Sequence, residues 1–125
     1  MQTPIEGKQF IAGKWVKGES PEWKREAPSD SSVTWQGNWA SELQAQAAID
    51  AARAAFEDWA DCSLEDRIAI CQKFAEIVTE RKEELATLIA TENGKPLWEA
   101  RTEVAASLGK VSNSVQSIRE RRWTT

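Results

Sequence analysis

Histidine and tyrosine are both missing from the 125 residues, and there are only two cysteines and one methionine. Without imidazole the chain has no histidine base, no histidine-dependent serine or cysteine triad and no histidine-bearing zinc site. Any chemistry of its own falls to carboxylates, lysine or cysteine. Cys62 lies just before a predicted helix and Cys71 inside it, so at helical rise they stand roughly 13 Å apart, too far for a disulfide. Two free thiols agree with a reducing compartment. No run of about eighteen apolar residues occurs, and Met1-Gln2-Thr3-Pro4-Ile5-Glu6 has no basic segment followed by an apolar one. We read a soluble, cytoplasmic chain without a membrane partner. Its six glycines build neither a G-x-G-x-x-G turn nor a phosphate loop after a strand. Charge of one sign is scarce too: 16 basic residues interspersed with 20 acidic ones give a net charge of −4, no field for steering towards nucleic acid.

What is present begins with seven tryptophans. Trp15, Trp23, Trp35 and Trp39 crowd the N-terminal third, where a small sheet needs large side chains to cover it. Phe10-Ile11-Ala12-Gly13-Lys14-Trp15-Val16 places two short apolar runs around a glycine turn, the pattern of a β-hairpin. Residues 17–32, rich in Gly, Ser, Pro and charge, read as a surface loop, followed by a short strand near Val33-Thr34-Trp35-Gln36.

Ser41-Glu42-Leu43-Gln44 has the form of a capping box and predicts a helix start. Ala45, Ile49, Ala52, Phe56 and Trp59 then recur at helical spacing, predicting a helix to about Trp59 or Ala60. Ser63-Leu64-Glu65-Asp66 gives a second start with an acidic first turn. Leu64, Ile68, Cys71, Ala75 and Val78 form its stripe, and Ile70, Phe74 and Ile77 widen it, so this helix is expected to be central. A break is expected near Arg81, after which Leu85, Leu88 and Ile89 resume the apolar face. Gly94 can take positive φ and Pro96 supplies a preset φ, a helix stop followed by a helix start. The last helix carries Leu97, Ala100, Val104, Leu108, Val111, Val115 and Ile118, with Arg119, Arg121 and Arg122 at its negative end. The expected fold is mainly α with a small N-terminal β-hairpin (α+β): an arm over 1–40 and a bundle of three or four helices over 41–125, together one compact unit.

Few residues invite chemistry. Glu83-Glu84 and Asp61 with Glu65 and Asp66 read as solvated carboxylates, since perturbed ones need burial or close like-charge pairing. Cys71, on the apolar stripe, reads as a small hydrophobe, and Cys62 has no base to activate it. Lys95, between a helix end and a helix start, reads as solvated rather than as an anion contact. Trp98 flanks the last stripe and leaves two readings open, a wider core face or a surface that another protein segment covers.

Several of these segments resemble one family. Glu92-Asn93-Gly94-Lys95-Pro96 is similar to the glutamate-threonine-glycine-lysine-proline signature of aldehyde dehydrogenases, with Asn93 in the threonine place. The hairpin Phe10 to Val16, the helix Ala48 to Phe56 with Trp59, and Arg67 to Pro96 resemble successive N-terminal pieces of the same family. Trp35-Gln36-Gly37-Asn38, Gly94 to Ala100 and Glu103-Val104 are most similar to its succinylglutamate-semialdehyde dehydrogenase branch. The resemblance covers about Phe10 to Arg121.

That resemblance implies NAD(P)-dependent oxidation of a semialdehyde to an acid in full-length members. In the family a cysteine attacks the aldehyde, hydride passes to the nicotinamide, a glutamate activates the hydrolytic water and an asparagine helps hold the oxyanion. Those residues and the nucleotide-binding sheet lie beyond the region this chain resembles. No residue here is therefore assigned a catalytic, cofactor-binding or metal-binding role, and NAD(P) is implied for the full-length family only. The ending Arg122-Trp123-Thr124-Thr125 departs from the family pattern and looks like a shortened reading frame. An uncovered apolar stripe then predicts a rearranged bundle or a homodimer through the 97–118 helix, from Leu97 to Ile118, and the Trp98 side. Two functional classes follow: the N-terminal fragment of such an enzyme, inactive alone, or a stand-alone non-catalytic interaction or oligomerisation module. A small helical binding protein with a bundle cavity is a third.

Overall fold

In a computed structural model residues 4–121 are described, and the departure expected at Arg122-Trp123-Thr124-Thr125 lies outside them. Their contacts group into two units, with the boundary after Asp61 rather than after Ala40. The described part is mainly helical with small strand sheets.

In the first unit, β1 (Ile5–Gly7), β5 (Val33–Asn38) and β4 (Glu22–Glu26) form a three-stranded sheet in the order β1-β5-β4. β2 (Gln9–Ile11) and β3 (Lys14–Val16) pair antiparallel, with Phe10 opposite Trp15. Between them Ala12 and Gly13 both take positive φ, as a two-residue turn with the right twist requires. β4 falls where a loop was expected. Its sequence Glu-Trp-Lys-Arg-Glu is almost all charged because only Trp23 turns inward, and an edge strand tolerates charge. Trp23 packs at 5.0 Å from Trp35 and 4.9 Å from Trp39, so three of the seven tryptophans cover one small sheet. β1 pairs in parallel with β5, Ile5 opposite Trp35, and no local turn signal announces such a pairing. Trp35 lies across Gly7, where a side chain would collide with the indole.

α1 (Glu42–Ala54) starts at the capping box: Ser41 Oγ accepts from the Gln44 amide at 3.2 Å and Gln44 Oε1 accepts from the Ser41 amide at 3.0 Å. Gln44 also accepts from the Glu19 amide and donates to the Lys17 carbonyl, tying the helix start to the preceding loop. The helix stops at Ala55 and resumes as α2 (Phe56–Asp61), one interruption more than the periodicity suggests. The expected stripe is not the inward one. Ala45, Ile49, Ala52, Phe56 and Trp59 are exposed, whereas Gln44, Ala48 and Ala51 are half-buried. α1 packs against β2.

The second unit holds α3 (Leu64–Glu80), α4 (Lys82–Asn93) and α5 (Leu97–Arg121). Ser63 caps α3 by accepting from the Asp66 amide, and Arg81 separates α3 from α4. Gly94 ends α4 at φ 70°, ψ 14°, with its amide donating to the Ala90 carbonyl at 2.8 Å. The left-handed cap was legible from the glycine alone. The central helix is α5, not α3: each of the three touches both others, but α5 packs most extensively, on α4 above all. The core is small: Ala86, Ala100 and Val104 are buried, and Val78, Leu85, Ile89 and Ala90 pack against them. Two alanines with no exposure let α4 and α5 approach closely. Among the described residues no helix is long and apolar enough to cross a membrane.

Candidate functional site

The junction Gly94-Lys95-Pro96 spends its charge locally. Lys95 pairs with Glu103 and, at 3.7 Å, with Glu99, both on the first turns of α5. The hydrogen bond to Glu103 is the main cause of a lysine pKa above its ordinary value. Lys95 is thus neither simply solvated nor open to an anion; it fastens the start of α5. Asn93, in the threonine place of the signature, donates its side-chain amide to the Ile89 carbonyl at 3.1 Å.

Of the carboxylates considered for chemistry, Glu83, Glu84, Glu65 and Asp66 are engaged in structural pairs. Glu83 accepts from Arg101 at 2.9–3.2 Å, clamping α4 to α5, and this holds its pKa below the ordinary value. Glu84 is likewise lowered by its hydrogen bond from Arg81. Asp66 accepts from the Ser63 hydroxyl at 2.6 Å, and Glu65 pairs with Arg119 at 3.3 Å. The described residues contain no group of three or more side chains suited to hold a metal ion.

The distinctive surface is apolar. Ile70, Phe74 and Ile77 on α3, with Trp98 and Leu97 on α5, are exposed, Trp98 by 67%. At that exposure Trp98 does not widen a core face within the described chain. Cys71 corrects the expectation of a buried hydrophobe: it is exposed. Two neighbouring helices cannot surround α3, so one face buries Ile68 and half-buries Leu64, Ala75 and Val78 while the widening residues Ile70, Phe74 and Ile77 stay open.

Two grooves line α5 on its α3 side. One, of about 590 Å³, is walled by Leu64, Ile68 and Cys71 on α3 and Val111, Val115 and Ile118 on α5, with Arg67, Lys110 and Ser114 also on its wall. The other, of about 640 Å³, shares Val111 and Val115 and adds Ala75, Leu108 and polar residues such as Gln72 and Gln116. Val111 and Val115 line both grooves. Arg67 was not singled out by its sequence pattern, yet its Nε is buried without a hydrogen-bond partner. The available signal was its place between Leu64 and Cys71, three and four residues away on the same apolar stripe. A groove of this kind can seat an apolar polypeptide segment; it assembles no nucleophile with a base.

The family model described as aldehyde dehydrogenase family matches residues 15–125. The N-succinylglutamate 5-semialdehyde dehydrogenase of Chromobacterium violaceum is 48% identical over 112 residues, which cover 90% of this chain and 23% of that protein. The enzyme of the same name from Burkholderia ambifaria is 46% identical over the same shares. Among solved structures, an aldehyde dehydrogenase from Bartonella henselae superposes with a TM-score of 0.87 at 26% identity, over 94% of this chain and 25% of that one. A NAD-dependent benzaldehyde dehydrogenase from Corynebacterium glutamicum gives 0.84 at 30% identity, over 91% and 25%. The chain spans about a quarter of the length of the relatives it matches.

Proposed function

The chain belongs to the aldehyde dehydrogenase family, and on that premise we propose that it contributes the N-terminal helical part of an enzyme that oxidises N-succinylglutamate 5-semialdehyde to the acid, in the cytoplasm. The observation that carries this reading is the 48% identity sustained over 112 residues. In such an enzyme NAD(P) takes up the hydride. The attacking cysteine, the glutamate and the asparagine that the resemblance implies belong to the remaining part of the fold. These 125 residues supply scaffold: a capped start for α1, the Gly94 stop and a lysine that fixes the start of α5. By themselves they turn over no aldehyde.

The test has two arms. The purified 125 residues, given N-succinylglutamate 5-semialdehyde with NAD or NADP, are expected to show no aldehyde-dependent NAD(P)H formation; turnover refutes inactivity. A chimera in which they replace the matched region of the Chromobacterium violaceum relative is expected to oxidise that semialdehyde. An inactive, folded chimera would count against the substrate reading.

A second reading is favoured by the exposure of Trp98 and Leu97. It is a stand-alone module that self-associates as a homodimer through the 97–118 helix on its Trp98 side. Concentration-dependent dimerisation by light scattering, abolished in Trp98→Ala, supports this second reading; a monomer at high micromolar concentration rejects it.

A further inference from the structure

We propose that Asn93 is a site of spontaneous deamidation, that the cap of α4 sets its rate, and that its product loosens the junction between α4 and α5. Of the asparagines in the chain, Asn38, Asn93 and Asn113, only Asn93 precedes a glycine. Deamidation starts when the next residue's backbone nitrogen attacks the asparagine Cγ, and a glycine there leaves that nitrogen unshielded and its backbone free to turn. The new bond joins Gly94 N to Asn93 Cγ and the amide proton leaves to solvent base. The Cγ–Nδ2 bond breaks, with Nδ2 taking a proton from water to depart as ammonia. Water then opens the cyclic imide at either carbonyl, leaving aspartate or isoaspartate. The net reaction consumes water and nothing else.

Asn93 is exposed, so water reaches it, but the fold restrains both reacting groups. The Gly94 amide donates to the Ala90 carbonyl at 2.8 Å, and the Asn93 side-chain amide donates to the Ile89 carbonyl at 3.1 Å. Nucleophile and leaving group are each tied to the preceding turn, and helical backbone at Asn93 holds the nitrogen off the line of attack. Reaction waits for the last turn to open, and a helix end opens at lower cost than the whole fold. The product cannot return to the same cap. A carboxylate has no proton to give the Ile89 carbonyl, and it adds negative charge where the helix dipole is already negative. Isoaspartate also lengthens the backbone by a methylene. Two residues on, Lys95 fixes the start of α5 through Glu103 and Glu99, so slack at the cap reaches the packing of α4 on α5. Threonine, the residue of the family signature in this place, has no side-chain amide to lose. Thr79 and Thr91 show that it can donate to the carbonyl four residues back.

The test incubates the purified 125-residue chain at mildly alkaline pH, folded or in denaturing urea, and follows each asparagine by peptide mass spectrometry with isoaspartate detection. In urea Asn93 is expected to convert first, ahead of Asn113 and Asn38. In the folded chain it is expected to convert about ten- to a hundredfold more slowly, as for a helix end that opens locally. Another asparagine converting first in urea, equal rates in the two states, or a folded chain that stays unconverted beyond that range overturns the inference. Asn93→Asp stands in for the aspartate product, and Asn93→Thr keeps a donor without the amide. Asn93→Asp and the aged parent are both expected to unfold at lower urea than the fresh parent, with faster hydrogen exchange across residues 90–97. Asn93→Thr is expected to match the fresh parent and to keep its midpoint on ageing. An Asn93→Asp midpoint and exchange equal to the parent's overturn the loosening, and Asn93→Thr losing stability at the parent's pace overturns the assignment to Asn93.

Discussion

Gly7→Ala puts a methyl group where Trp35 already lies. An added Cβ would sit 1.7 Å from Trp35 Cζ2 and 2.3 Å from Cε2, whereas ordinary contact begins near 3.4 Å. The indole must retreat by about the difference, and it cannot do so alone, since Trp23 packs against its ring at 5.0 Å. Overpacking of this kind costs about 1–3 kcal/mol, and loss of the aromatic pair adds about 0.5–1.5 kcal/mol. Alanine's smaller unfolded-state freedom returns about 0.4–1 kcal/mol. The expected net loss is about 2 kcal/mol, confined to the first unit. Urea unfolding followed by tryptophan fluorescence measures it, and near-ultraviolet circular dichroism reports whether Trp23 and Trp35 have separated. A variant within about 0.5 kcal/mol of the parent, with unchanged aromatic dichroism, would refute the argument that Gly7 exists to admit Trp35.

Three further outcomes are expected. Gly94→Ala forces a Cβ into the left-handed region at φ 70°, and should lower the urea midpoint of the second unit by the equivalent of about 1 kcal/mol; an unchanged midpoint would mean the cap relaxes without strain. Gln44→Ala should cost more than Ser41→Ala, about 2 against about 1 kcal/mol, because it loses the bonds from the Ser41 and Glu19 amides and to the Lys17 carbonyl, whereas Ser41→Ala loses those with the Gln44 amide and the Glu19 carboxylate; thermal unfolding of the two variants decides the order. The lowered pKa of Glu83 means that its pairing with Arg101 stabilises the fold above the ordinary carboxylate value of 4.5 and is lost as pH falls through the lower folded value. The stability difference between parent and Glu83→Gln should therefore shrink on acidification below that value; a constant difference contradicts the pairing.

Local signals were readable wherever the chain satisfies its own backbone. Ser41 with Gln44, Ser63 with Asp66, and Gly94 each close a helix end by bonds to residues within four positions, so residue type and spacing suffice. Hydrophobic spacing was a poorer guide to which face is inside. The stripe from Ala45 to Trp59 and the widening residues Ile70, Phe74 and Ile77 have helical period, yet they are exposed. Periodicity reports that a face is apolar; what covers it depends on other segments, and here about three-quarters of a relative's length lies outside the match.

The 125 residues by themselves determined the cap positions, the Gly94 stop, the course of the long last helix and the resemblance to a family, because each rests on near neighbours in sequence. Tertiary structure alone decided that β1 joins β5 in parallel across some thirty residues, that Trp35 fills the space over Gly7, and that α5 rather than α3 is central. It also decided that Arg67 lines an open groove with an unmet donor. Those are contacts between residues far apart along the chain, and their energies depend on shape and burial that no local pattern encodes.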